Sequence, residues 1–205
     1  MKIKTLKIRI TLQEEMLGMS AAQDVHEKYI ASRAPDAPSI KEEVEALGEE
    51  LVLENKRTVF PRDNGTPIMW DYQIKGMFKD SCGMLRRVSG SESSKLTSYK
   101  KNIDGLIFVG PRKISIDTKG QPLGNCQRPL RADTAQGPRV ALADSETAPA
   151  GSTIEFEVRI MEPTKKKGAP SLEDCVLEWL QYGQLRGLGQ WRNAGKGIYS
   201  FEIIN

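Results

Sequence analysis

Residues 171–205 read SLEDCVLEWLQYGQLRGLGQWRNAGKGIYSFEIIN, and this stretch decides the fold. Its first half predicts a helix over residues 171–186. Ser171 is expected as the cap, with Asp174 at the reciprocal position, and Leu172, Cys175, Val176, Trp179, Leu180 and Tyr182 fall on one face. Its last residues, 198–204, read as a closing strand. Between them lies LRGLGQWRNAGKG, residues 185–197. Gly187, Gly189, Gly195 and Gly197 bracket Arg186, Trp191, Arg192, Asn193 and Lys196. Glycine permits positive φ and carries no side chain, so backbone N–H groups can approach an anion. Arg186, Arg192 and Lys196 add positive charge, Asn193 adds an amide, and Trp191 offers a flat stacking surface. A helix C-cap followed by a flexible hairpin would use the same glycines. A helix precedes this loop and a strand follows it. The nucleotide-binding glycine motifs need the opposite order, so neither of them is present.

Working outward, residues 152–161 (STIEFEVRIM) alternate cleanly, with Ile154, Phe156, Val158 and Ile160 on one side and Glu155, Glu157 and Arg159 on the other. Residues 2–12 alternate too and predict a strand with one charged face. Residues 72–88 place Ile74, Met77, Phe78, Met84, Leu85 and Val88 at roughly helical spacing, with Lys75, Lys79, Arg86 and Arg87 elsewhere on the helix. GLIFVG at 105–110 reads as a buried strand, and 113–117 as a second extended segment. The resulting order is strand, helix, strand, strand, helix, strand. That order predicts an α+β, ferredoxin-like (RRM-like) fold, an antiparallel sheet with two helices on one face. The free face of such a sheet is a common seat for single-stranded RNA. The whole chain, 1–205, reads as a single domain. It carries a helical insertion near residues 20–60 and a long basic loop region over 118–150, with one short strand at 139–143.

Thirty Lys and Arg residues against 27 Asp and Glu give a net charge of +3, so total charge says little and its distribution matters. Residues 42–54 are acidic. Positive charge gathers in 75–87, 95–101, 128–139 and 186–196. Within the third segment Arg128, Arg131 and Arg139 form a second basic cluster, read either as phosphate contacts or as solvated loop charge. Cys82, Cys126 and Cys175 lie far apart without metal-binding spacing, so neither a zinc site nor any other cofactor is expected. Three cysteines without a secretion signal predict the cytoplasm. No apolar run approaches the ~20 residues a membrane helix needs, so no membrane partner is expected.

The closing loop resembles the glycine-rich loop of the RAMP superfamily, the repeat-associated proteins that build CRISPR effector complexes. Two further segments resemble the same family in the same order. TPIMWDYQIKGMFKDSCGML (66–85) is similar to its turn, Lys-Gly pair and basic helix, and ETAPAGSTIEFEVRI (146–160) to the "Glu, Pro-Ala-Gly, then strand" element of type III backbone subunits. Together they cover about a third of the chain. The chain as a whole also resembles proteins of phages and prophages. The resemblance implies a modified RNA-recognition module. RNA would lie against Lys75 and Gly76 of the helix and against Gly187, Gly189, Arg192, Gly195 and Gly197 of the loop, with Lys79 of the basic helix as a further phosphate-binding candidate. It further implies a homo-oligomer stacked head to tail, or a host defence component as partner. Trp70 and Asp71 depart from the family, which has small residues before the Lys-Gly pair.

Non-catalytic binding of RNA or another single-stranded nucleic acid is the function these features predict. A counter-defence protein that mimics an effector subunit or sequesters a nucleotide is the alternative. The enzyme reading is a metal-independent ribonuclease with His26, the sole histidine, as general base. A histidine on a helix face is more often a surface residue, and no partner base accompanies it.

Overall fold

In the computed structural model, residues 3–21, 57–134, 137–163 and 168–204 are described, with side chains of 130–134 and 137–142 left aside. The strands are β1 (Ile3–Leu12), β2 (Met16–Leu17), β3 (Ser20–Ala21), β4 (Thr58–Val59), β5 (Arg62–Asp63), β6 (Thr66–Trp70), β7 (Ile107–Gly110), β8 (Lys113–Asp117), β9 (Gly124–Thr134), β10 (Gly137–Ala148), β11 (Thr153–Met161) and β12 (Tyr199–Ile204). The helices are α1 (Asp71–Leu85), α2 (Glu92–Lys95), α3 (Tyr99–Leu106) and α4 (Leu172–Arg186).

The main sheet runs β12-β1-β11-β8-β6-β5, and β7 also pairs with β11. β7 and β8 meet successive stretches of β11, so together they act as one strand broken at 111–112. The core order is then fourth, first, third and second strand, all antiparallel, with α1 and α4 as the crossovers. This is the ferredoxin-type α+β arrangement that the alternation predicts.

Alternation sets which face is covered. Along β1, Leu6, Ile8, Ile10 and Leu12 are buried, and the first three pair across β11 with Val158, Phe156 and Ile154. Ile74, Met77 and Phe78 of α1 and Cys175, Val176, Trp179 and Leu180 of α4 cover that face. Phe78 and Trp179 meet with ring centroids 5.6 Å apart. The Trp179 indole N–H donates to Ser93 Oγ at 2.8 Å, which satisfies its one polar atom inside the core. Tyr182 is only half-buried.

Three expectations are corrected. Residues 118–150 are not a long loop: β9 and β10 form an extended ribbon, registered from Gly137↔Thr134 to Thr147↔Gly124. Among the described residues β9 pairs only with β10 and is an edge, where Pro129 is tolerated. Ser171 does not cap α4 with its side chain. Glu162 does so instead, accepting the N–H groups of Leu172 (3.2 Å) and Glu173 (3.1 Å) and the Ser171 hydroxyl (2.7 Å). α3 occupies residues on both sides of the start of GLIFVG, which shortens that strand to Ile107–Gly110.

The ribbon belongs to a second sheet, ordered β2-β10-β4-β3. Strands β3 and β4 pair at Ser20↔Val59 and Ala21↔Thr58, where the predicted insertion begins and ends. The helices read within it, its acidic run and His26 lie outside the described residues.

Candidate nucleic-acid interface

The loop between α4 and β12 is held mostly by its own backbone. The Gly187 N–H donates to the Gly183 carbonyl (2.8 Å), Leu188 N–H to Gly197 (2.9 Å), and Gly197 N–H to Glu15 (2.9 Å). Leu188 is buried in the core. A methyl group on Gly197 would overlap the Leu188 carbonyl, and φ there is +71°. One on Gly187, at φ +80°, would overlap the Lys196 carbonyl oxygen. Gly189 lies against Met16 and Leu17. These three glycines let the limbs of the loop cross each other and seat on the β1–β2 turn. Gly195 has more room and closes a short 3-10 turn over Arg192–Ala194.

The loop cations are distributed unevenly. Lys196 Nζ lies 2.6 Å from Glu15, and that hydrogen bond holds the Glu15 carboxyl below its usual range and the Lys196 ammonium above its own. Arg192 pairs with Asp80 of α1 at 2.8 Å; Arg186 reaches the same carboxylate at 3.7 Å and also donates to Asn193. Arg128, from β9, arrives over the loop with its guanidinium carbon 5.1 Å from the centroid of Trp191. Only 7% of Arg128 is exposed. It donates to Ser145 Oγ (3.0 Å) and Gln190 Oε1 (3.3 Å), and its Nε is buried without an acceptor. Among the described residues no carboxylate pairs with it. Of the three guanidinium groups around the loop, Arg186 and Arg192 share the single carboxylate of Asp80 and Arg128 meets none among the described residues, a local excess of two positive charges.

Trp191 is 41% exposed and left-handed at φ +54°. With Arg186, Gly189, Gln190, Arg192 and Asn193 it lines a cleft of about 360 Å³. A smaller cleft of about 150 Å³ continues between the loop and α1, where Gln73 and Gly76 face Gly189 and Arg192.

Gly76 and the loop are thus brought together, whereas Lys75 and Lys79 are not part of this cluster. Lys75 points to the Asp104 carbonyl (3.4 Å) and lies 5.3 Å from the Phe108 ring centroid; Lys79 pairs with Asp104 at 2.6 Å. The Arg131 and Arg139 side chains lie outside the described residues, though their backbones pair with Val140 and Ala132. Sequence reasoning misses Asp80, Glu15, Gln190 and Ser145, because nothing local marks them as loop partners.

The open face of the main sheet has another character. Arg9 is held by Glu155 (2.6 Å) and Glu202 (2.8 Å), and Arg159 by Glu157 (3.4 Å). The charges there cancel, and the ring facing out from the strands, Phe108, sits at Arg159 on the flank formed by β7.

Among the described residues there is no cluster suited to a metal, and no helix is long and apolar enough to cross a membrane. No protein-family model and no curated protein sequence matches this chain. Solved structures do. The whole chain superposes on 61% of a chain in the cryo-EM structure of the Type III-B Cmr-beta bound to cognate target RNA, with TM-score 0.50 and 14% identity. It also matches, over 98% of its length and 90% of the other's, a chain of a Type IV-B CRISPR complex, with TM-score 0.47 and 13% identity. The class defined is therefore one of fold, the ferredoxin-type α+β arrangement. At this identity the likeness speaks for the fold.

Proposed function

We propose that this chain binds single-stranded RNA at the loop between α4 and β12, without cleaving it. The observation that carries the reading is Arg128, a buried guanidinium that meets no carboxylate among the described residues, stacked on an exposed tryptophan. A cation held out of water without a counter-ion is costly to fold. An incoming phosphate would supply the missing anion by replacing the long 3.3 Å contact to Gln190. Trp191 would then take a base on its exposed area, and Arg186 and Arg192 would hold neighbouring phosphates against the excess positive charge. The charge-balanced sheet face offers no net charge and one ring on its flank, Phe108, which favours the loop over the sheet as the seat of the strand. That RNA is the partner is supported by the fold shared with a chain of an RNA-bound structure.

The test is binding of a labelled oligouridylate across a salt series, with Arg128→Met. The variant is expected to lose roughly tenfold or more in affinity, and its slope of log affinity against log salt to shrink by about 0.7, one phosphate contact on a single strand. Its melting temperature is expected to stay level or rise, because an apolar side chain of similar length replaces an uncompensated cation. Unchanged affinity and slope in Arg128→Met would refute the reading.

A further inference from the structure

We infer that Trp70, Tyr72 and Arg112 form a second stacking step, which takes a base of the same single-stranded nucleic acid next to the loop site. The inference rests on the nucleic-acid reading above.

Trp70 ends β6 and is the N-cap of α1; Tyr72 is the second residue of that helix. Their rings lie nearly parallel, at 11°, with centroids 6.4 Å apart. The guanidinium carbon of Arg112 is 5.8 Å from one centroid and 5.9 Å from the other, so it caps both rings at once. Arg112 Nη1 donates to both oxygens of Asp71 (3.1 and 3.4 Å), and the Arg112 carbonyl accepts the Asp71 N–H at 3.1 Å. Nε and Nη2 of Arg112 have no acceptor among the described residues. The cluster is open to water: Tyr72 is 52% exposed and the Arg112 side chain 69%.

An exposed ring, a half-buried ring and an arginine with spare donors, in one place, have the composition of a binding hot spot. The rings favour a planar ligand. The free guanidinium donors favour an anion beside it. A nucleotide meets both demands together, and stacking tolerates any base. Continuity with the loop argues for the same strand. The Trp70 N–H donates to Gln73 Oε1 at 2.8 Å. Gln73 and Gly76 line the cleft that leads to Gly189 and Arg192. From Tyr72 to Gly76 the helix rises only about 6 Å, so adjoining nucleotides can reach both places. Asp71 engages one nitrogen of Arg112, which fixes the side chain over the rings and leaves the other two to the ligand.

Anisotropy of a labelled uridine oligomer of about ten nucleotides, a length that fills one such groove, tests this with Tyr72→Ala and Arg112→Ala. Both positions are exposed, so melting temperatures are expected to match the parent. Each variant is expected to bind roughly tenfold more weakly. In Trp191→Phe, where half-buried Trp70 is the remaining tryptophan that water reaches, the oligomer is expected to quench the emission. Parent-like affinity in both variants, while Arg128→Met loses binding, overturns this inference and leaves the loop reading standing. No binding by the parent overturns both. Loss of binding only in Tyr72→Ala and Arg112→Ala supports this step and removes the one at Arg128.

Discussion

Lys196 and Arg128 are cations of the same loop neighbourhood, and they have opposite surroundings. Lys196 ends on a carboxylate, Glu15, and is partly open to water. Arg128 is nearly sealed and ends on a hydroxyl, an amide and the face of an indole. The first is neutralised by its own chain and serves to fasten the loop to the β1–β2 turn. The second is left unbalanced among the described residues. Basic residues in a sequence are therefore not equivalent to positive charge offered to a ligand; what counts is how many carboxylates the fold brings to meet them.

The change expected to break both ends of the comparison is Gly197→Ala. Its methyl group has no room beside the Leu188 carbonyl, and φ is left-handed there. A loss of about 3 kcal/mol of unfolding free energy in urea is expected, with RNA binding lost alongside. A fully stable variant would mean that the loop limbs do not cross as described.

Asp80→Asn acts on the sharing itself. It removes the one carboxylate that Arg192 and Arg186 hold, so the cleft gains free positive charge. Affinity for RNA at low salt is expected to rise about threefold and the salt slope to steepen, with a stability cost of less than about 1 kcal/mol. Weaker binding would show that Asp80 positions the arginines rather than competing for them.

Glu15→Gln gives the smallest effect. Glu15 titrates below its ordinary value because of Lys196, so its contribution is present above the ordinary value of 4.5 and is lost as pH falls through the depressed one. Lys196 titrates above its ordinary 10.5, so its contribution is present below that value and is lost as pH rises through the raised one. The pair therefore contributes fully between about pH 4.5 and 10.5, by less than about 1 kcal/mol because both groups are partly exposed. Chemical unfolding of Glu15→Gln is expected to lose that increment at pH 7 and to show a flatter decline below pH 4.5, with RNA affinity unchanged. An affinity change as large as that of Asp80→Asn would erase the distinction between the two ends of the loop.

Much of the fold is legible in residue order, because β1, β11, α1 and α4 each carry a clear period in their apolar residues. β9 and β10 do not. Pro129 and Pro138 and the run of arginines obscure a pairing that forms only when the two strands meet as an outlying ribbon. The α4 cap is hidden for a related reason: Glu162 lies nine residues before Ser171, in another segment. At the candidate site the loop and its place between helix and strand are readable, as are Trp191 and Arg128 individually. Their contact is not, since it depends on where the ribbon lands. Nor are Asp80 and Glu15 as counter-ions, which come from α1 and from the turn after β1. Trp70 and Asp71 show in the sequence only as unusual neighbours of the Lys-Gly pair.

The pairing of Ser20 with Val59 and Ala21 with Thr58 has a practical sequel. Facing Cα atoms in such a ladder stand about 5 Å apart. The polypeptide departs and comes back at nearly one point, so the remainder of the molecule registers that closure and not the length spanned, whose entropy grows only slowly. Splicing a tight turn from Ala21 to Thr58, or grafting a foreign module there, should leave the two sheets in register.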